Sequence, residues 1–302
     1  MPDELLERLG RLKRERNAVI LGHNYQRAEV QDASDFTGDS LGLSRQAAKT
    51  DADVILFCGV HFMAETAAIV CPDKTVVVPD PNAGCPMANM ATPRELEAVK
   101  AEHPGATVVC YVNSSAEVKA LSDLCCTSAN AVAVLESIPA DRTVLFVPDR
   151  SLGAWAAKQT GRQVILWPGY CPTHHRIRPE HVAGARREHP DAEVVVHPEC
   201  LADVIALADH VASTSGMLTY CAASPASAFI IGTETGMLHP LQKQCPDKRF
   251  YPASPLADCP NMKLNTIEKM VWALEDLRHR VVVPADVADR ARGAIERMLE
   301  IG

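Results

Sequence analysis

Three segments of this chain align with one another without gaps, at offsets of 88 and 86 residues. The first runs His23-Asn24-Tyr25, then Val30, Asp35, Asp39 and Ser40. The second runs Tyr111-Val112-Asn113, then Val118, Asp123, Thr127 and Ser128. The third runs His197-Pro198-Glu199, then Val204, Asp209, Ser213 and Thr214. Self-similarity at a fixed long period marks a repeated supersecondary unit. Each unit reads as a strand, a polar triplet at the strand end, a helix and a second polar pair. Apolar runs at 18–21, 54–57, 76–78, 107–112, 143–147, 164–167, 194–197 and 229–231 alternate with helical segments. Short β-branched runs between helices predict parallel strands covered on both faces. The expected fold class is therefore α/β. Three similar three-layer α/β/α lobes with parallel sheets are related by pseudo-threefold symmetry, with the active site at the central axis, outside the strands' carboxyl ends.

By the repeat phase the lobes span 17–88, 89–174 and 175–262. Residues 1–16 and 263–302 fall outside the repeat and are expected to form terminal helices packing on the lobes. The first places Leu5, Leu6, Leu9 and Leu12 on one face. The last two begin near Asn265-Thr266-Ile267-Glu268 and at Pro284.

Three cysteines keep the same period. Cys85, Cys171 and Cys259 lie 86 and 88 residues apart, each after an extended run and a proline-rich turn. The other eight of the eleven show no such regularity. Those eight, the Cys125–Cys126 pair included, read as small buried hydrophobes. No C-x-x-C occurs, which leaves zinc ribbons, ferredoxin-type runs and thioredoxin-like sites unsupported. Equivalent positions around an axis bring three thiolates together. They are too few for an all-cysteine four-ligand site. They can hold a [4Fe–4S] cluster with one iron lacking a protein ligand, which is open as a Lewis acid.

The triplets supply groups that move or orient protons. His23 and His197 titrate near neutrality when unperturbed. Tyr25, Tyr111 and Glu199 can act as acid or base, and Asn113 can orient a carbonyl or carboxyl. Ser40, Ser128 and Thr214 recur at helix starts, where a hydroxyl is ordinarily an N-cap. Three such helix starts aimed at one cavity would also form an anion site. Gly38-Asp39-Ser40-Leu41-Gly42 matches the nucleophile-elbow pattern, but residues 31–37 do not read as the buried strand that motif needs. In the 170s, Cys171 reads as a cluster ligand and His174 as a cavity residue, with His175 and Arg176 as solvated neighbours.

A net charge of −8, no basic run and 5% aromatics give no support for nucleic-acid binding. No secretory or transmembrane segment is evident, so the expected compartment is the cytoplasm and no membrane is expected as partner.

Together GHNYQRAEVQD, GDSLGLSR, PDPNAGCPMA, YVNSSAEVKALSD, CTSAN, WPGYCPTHHRI, HPEC, STSGM, GTETGMLHPL and CPNMKLNT make the chain resemble the quinolinate synthase family over almost its whole length. The resemblance implies a transferase that condenses iminoaspartate with dihydroxyacetone phosphate to quinolinate, in NAD biosynthesis. It implies one [4Fe–4S] cluster on Cys85, Cys171 and Cys259. It implies substrate contacts at His23, Ser40, Tyr111, Val112, Asn113, Ser128, His197, Pro198, Glu199 and Thr214. Acid–base work would fall to Tyr25, Glu199, His23 and His197, with Phe62 and Met63 on a loop near the cavity. Implied partners are the iron–sulfur assembly machinery and, transiently, aspartate oxidase. Some members carry further cysteines where this chain has Asn261 and Met262, so no redox disulfide is expected there. The competing readings are another trilobed [4Fe–4S] dehydratase or reductase, and a non-catalytic iron–sulfur sensor.

Overall fold

The computed structural model describes residues 2–301. Its strands are β1 (Ala18–His23), β2 (Phe36–Gly38), β3 (Val54–Cys58), β4 (Thr75–Val77), β5 (Thr107–Tyr111), β6 (Leu124–Cys126), β7 (Val144–Val147), β8 (Val164–Leu166), β9 (Glu193–Val196), β10 (His210–Val211), β11 (Ala228–Gly232) and β12 (Arg249–Pro252). They form three four-stranded sheets with orders β2-β1-β3-β4, β6-β5-β7-β8 and β10-β9-β11-β12. Every named pairing is parallel. The chain is thus α/β with three lobes of one connectivity, as the repeat predicts. Each lobe starts at the second strand of its sheet, steps to one edge, then returns to fill the other side.

The aspartate of the repeat explains how that first step is fixed. Asp35 Oδ2 accepts the Ile20 N–H at 2.9 Å, and the Asp35 N–H returns to the Ile20 carbonyl at 2.9 Å. Asp123 does the same to Val108, at 2.8 and 3.0 Å. Asp209 does it to Val194, at 2.8 and 2.9 Å. Each aspartate satisfies an N–H that the incoming edge strand cannot reach, and so sets that strand's register. Val30, Val118 and Val204, from the intervening helices, are each fully buried against these strands.

The first and second lobes share one hydrophobic core, which also takes Val287, Ala291, Ala294, Ile295 and Met298 of the helix Ala285–Glu300. Helices Pro2–Glu15 and Ile267–Asp276 cover the other face of the first sheet, through Leu9, Leu12, Met270 and Leu274. Thr266 caps the second of these, accepting from the Lys269 N–H. Of the four leucines expected on the buried face of Pro2–Glu15, Leu6 points outward and is 44% exposed. The third lobe fills its two faces separately.

The seam between the first two lobes holds a buried lysine. Lys119 is fully buried, and its Nζ donates to the Phe62 carbonyl at 3.2 Å and to Thr66 Oγ1 at 3.0 Å. No helix among the described residues is long and apolar enough to cross a membrane.

Candidate active site

Residues at and just beyond the ends of β1, β5 and β9 line one cavity of about 130 Å³, shared by all three lobes. Cys85, Cys171 and Cys259 all stand on its wall. Each cysteine is followed by a proline, and a single 3₁₀ turn begins three residues after it: Ala88–Met90, His174–Arg176 and Met262–Leu264. Such a turn points its leading N–H groups back at the sulfur. Those of Met87 and Ala88 face Cys85, that of His174 faces Cys171, and those of Asn261 and Met262 face Cys259. Cys-Pro also occurs at Cys71 and Cys245, off the cavity, so it is the 3₁₀ turn after the dipeptide, not the dipeptide itself, that sets these three apart.

Burial pushes the Cys85 thiol up to about 12, and burial also raises Cys171 and Cys259. Negative charge adds to this, from Cys259 at Cys85, from Glu199 at Cys171 and from Glu234 at Cys259. Three gathered thiols, whose raised pKa values backbone N–H groups and the Thr173 hydroxyl at Cys259 only partly offset, need positive charge to ionise. Bound metal supplies it. The donor set therefore fits an iron–sulfur group. Cys171 Sγ, His174 Nδ1 and a Glu199 oxygen also lie within 4.8 Å of one another, a metal-competent grouping in its own right.

The triplets frame the cavity as the repeat predicts. His23, Tyr25, Tyr111, Asn113, His197 and Glu199 line it, whereas Val112 and Pro198 are buried behind it and do not. Side chains alternate along an extended segment, so the middle residue of each triplet faces away. The backbone N–H of Tyr25 points at His23 Nδ1 at 3.1 Å, and that of Glu199 at His197 Nδ1 at 3.2 Å. Each Nδ1 is thereby an acceptor and the ring proton sits on Nε2. Burial lowers both histidines to about 3, so both rings are neutral donors near pH 7. His197 Nε2 donates to Ser128 Oγ at 3.1 Å, from the third lobe to the second.

Glu199 is the hub. The Tyr111 hydroxyl donates to its Oε1, and His174 Nδ1 to its Oε2 at 2.8 Å. Burial alone would raise this carboxyl. The His174 and His197 rings, with hydrogen bonds from His174 and Tyr111, outweigh burial and hold it below the usual carboxylate range. Burial and the Glu199 charge in turn raise both Tyr25 and Tyr111. The site thus holds an ionised carboxylate facing two protonated phenols. Asn113 Oδ1 is buried without a hydrogen-bond partner, an acceptor left for a ligand.

Ser40, Ser128 and Thr214 line the cavity, but none is an N-cap. Asp39 caps Ser40–Lys49, accepting from the Gly42 N–H at 2.8 Å. Ser213 caps Thr214–Ala223, accepting from the Gly216 N–H at 3.2 Å. In the second lobe the helix begins later, at Ala131–Ser137, and Ser128 sits in the preceding turn. So two helix starts face the cavity, not three. Capping falls to the neighbouring residue, which leaves the hydroxyls to the cavity. A strand, β2, leads into the Gly38–Gly42 pattern, but it is not the buried strand that the motif needs, in line with the sequence reading. It is an exposed three-residue edge rather than a buried centre strand.

Phe62, Met63 and His174 line the cavity as well. His175 is not a solvated neighbour: it is buried, stacked on Tyr170 and bonded to Ser151 Oγ at 2.9 Å. Sequence reasoning missed Thr233 and Glu234. Thr233 Oγ1 joins the Tyr25 hydroxyl at 2.6 Å to His174 Nε2 at 2.8 Å. Glu234 accepts the Cys259 N–H at 3.0 Å and pairs with Lys263 at 2.9 Å, while Lys263 donates to the Tyr25 carbonyl at 2.7 Å. The backbone threads this knot at Gly236, where a Cβ would lie 2.8 Å from Glu234 Oε2 and 2.9 Å from the Tyr25 carbonyl carbon. Asp149, also missed, is fully buried, caps Leu152 at 2.8 Å and is raised by burial and by Glu199.

The family model described as quinolinate synthetase A protein matches residues 7–300. The chain is 58% identical over 299 residues to the quinolinate synthase of Desulforudis audaxviator, covering 99% of each chain. It is 56% identical over 299 residues to that of Geobacter metallireducens, covering 99% of this chain and 98% of the relative. It is 54% identical over 298 residues to that of Methanosarcina barkeri, with the same coverage. With matches of that depth and length, the chain belongs to the quinolinate synthase family.

Proposed function

We propose that this protein condenses iminoaspartate with dihydroxyacetone phosphate to quinolinate, releasing phosphate and water, for NAD biosynthesis. The observation that carries the reading is three thiols, one from each lobe, on the wall that also holds Glu199, Tyr25 and Tyr111. Cys85, Cys171 and Cys259 would hold one [4Fe–4S] cluster, whose iron without a protein ligand supplies Lewis acidity toward substrate oxygens.

The chain's own groups divide the remaining work by protonation state. Glu199, ionised, takes protons; Tyr25, protonated, gives them. His23 and His197, neutral with Nε2–H, donate to anionic oxygens without competing for protons. The Ser40 and Thr214 hydroxyls and the helix starts that carry them favour phosphate or carboxylate. Asn113 offers its unpartnered oxygen to a substrate N–H or O–H. A reducing cytoplasm suits the eleven cysteines, all of them unpaired. The lobes are taken to divide at 88 and 174, each closing three residues after its cysteine. Supply of the cluster by the assembly machinery and of iminoaspartate by aspartate oxidase follows from the same reading.

The test is anaerobic purification, iron and sulfide analysis, and a quinolinate assay with both substrates. Quinolinate formed only by cluster-loaded protein supports the reading. Full cluster occupancy without quinolinate sinks it.

A further inference from the structure

Arg176 stands alone in kind on the cavity wall. Among the described residues that line the cavity it is the one lysine or arginine. It ends the 3₁₀ turn His174–Arg176, directly after the Cys171 loop, and it is exposed to solvent while still lining the cavity. That combination places it at the mouth. Its Nη1 reaches across to the Asp258 carbonyl at 3.3 Å, a long bond to the residue before Cys259. The Asp258 carboxylate lies nearer Lys263, at 3.9 Å. One neutral acceptor thus engages a guanidinium that carries five donors in a planar fork, the geometry that suits a phosphoryl group.

The rest of the wall offers no competing cation of this kind. His23 and His197 are buried and neutral near pH 7. The protein as a whole carries −8. In a protein of that net charge an incoming anion needs a local positive site. A localised positive charge at the mouth focuses the field and raises the encounter rate of anions.

We infer that Arg176 is the substrate-capture residue, binding the phosphoryl group of the incoming sugar phosphate at the mouth of the cavity and exchanging its bond to Asp258 for that ligand. The inference rests on the reaction proposed above, because it needs a phosphate ester as substrate. Capture precedes chemistry, so Arg176 governs kcat/KM for the phosphate substrate and leaves the bound-state steps to the interior residues.

The experiment uses cluster-loaded protein and the variants Arg176→Gln and Arg176→Lys. The quantities read are kcat and kcat/KM for dihydroxyacetone phosphate at low and high salt, with bound iron measured in parallel. The expected result is a loss of about ten-fold in kcat/KM for Arg176→Gln at low ionic strength. That loss shrinks at high salt, and kcat is little changed. Arg176→Lys keeps the salt dependence. Unchanged kcat/KM and salt slope in Arg176→Gln would overturn the inference. So would parallel loss of kcat, kcat/KM and bound iron, which would make Arg176 a brace for the Cys259 loop. Calorimetric titration of the same proteins with dihydroxyacetone phosphate alone separates the two readings. Wild type that binds this ester more tightly than Arg176→Gln does, yet forms no quinolinate, keeps the capture role and removes the reaction.

Discussion

Cys85, Cys171 and Cys259 on the cavity wall can be set against Cys110, Cys125 and Cys126 inside the second lobe. Both trios are crowded, and both are buried to some degree. Cys110 and Cys125 face each other across β5 and β6, with Cys126 beside Tyr111 in the same register, and all three are fully shielded from solvent. Acidity does not separate the trios in the expected direction. Although burial works against it, Cys110 is lowered to about 7 by the Cys125 thiol, the Ser114 hydroxyl and the Lys119 ammonium. Cys85 is pushed up to about 12. A search for the most acidic thiol would therefore choose Cys110, away from the cavity. Backbone context separates them: strand cysteines spend their N–H groups on the ladder, while the turns after Cys85, Cys171 and Cys259 leave their N–H groups to the sulfur. The proposed ligand role rests on the turn and the cavity rather than on the acidity of the thiol.

Cys171→Ser should break this contrast most severely. It removes one of the three proposed ligands, so bound iron and sulfide should fall to background and activity with them. Full cluster occupancy in this variant would dissolve the distinction between the trios. Next in size is Glu199→Gln, which keeps the shape of the wall and deletes the carboxylate at its hub. Turnover should fall by about 10²–10⁴-fold with the cluster spectrum intact. Near-normal turnover would move the base elsewhere.

Acid probes the wall in a third way. Burial holds His23 and His197 at about 3 in the folded protein, against about 6.5 in an unfolded chain. Below about 6.5 the unfolded state takes up protons that these rings cannot, so stability declines as the pH falls toward 3. From pH 7 to pH 5 each ring should account for on the order of 2 kcal/mol. Denaturant midpoints of metal-free protein at the two pH values, compared with a His197→Gln variant, measure it. An equal decline in that variant would assign the effect to other groups. Ser128→Ala should weaken substrate binding by about 1.5–3 kcal/mol without loss of fold, since Ser128 caps no helix. Reduced thermal stability with unchanged affinity would reverse that assignment. Smallest is Cys126→Ala, expected to cost about 1 kcal/mol of stability and no iron. Iron loss there would extend the cluster's reach into the lobe.

The repeat made the fold legible because every lobe spells it with the same residues. The centre strands were readable as apolar runs. Edge strands β2 (Phe36-Thr37-Gly38), β6 (Leu124-Cys125-Cys126), β10 (His210-Val211) and β12 (Arg249-Phe250-Tyr251-Pro252) were not, because none is a β-branched-rich apolar run such as those that mark β4 and β8. The placement of β2, β6 and β10 depends on Asp35, Asp123 and Asp209, visible in the alignment but mute about their partners until the sheets are built. The cysteines and triplets were readable through their common phase. Asp149 and Glu234 sit at matching places, two residues past β7 and β11, yet the offset there is 85 rather than 86. That one-residue slip hid them from a gap-free comparison. Thr233 was invisible for another reason: a threonine after a strand is ordinary until folding brings Tyr25 and His174 to it.

The three triplets share one backbone frame but carry His and Tyr, Tyr and Asn, and His and Glu toward the cavity. Three identical subunits around an axis would be bound to present three copies of the same side chains. Covalent joining of the lobes lifts that restriction. Each position can be exchanged alone, with the other two unchanged and the fold undisturbed. A shape with near-equivalent walls can thereby grip a substrate that has no symmetry at all, and new chemistry can be reached by editing one third of the surround at a time.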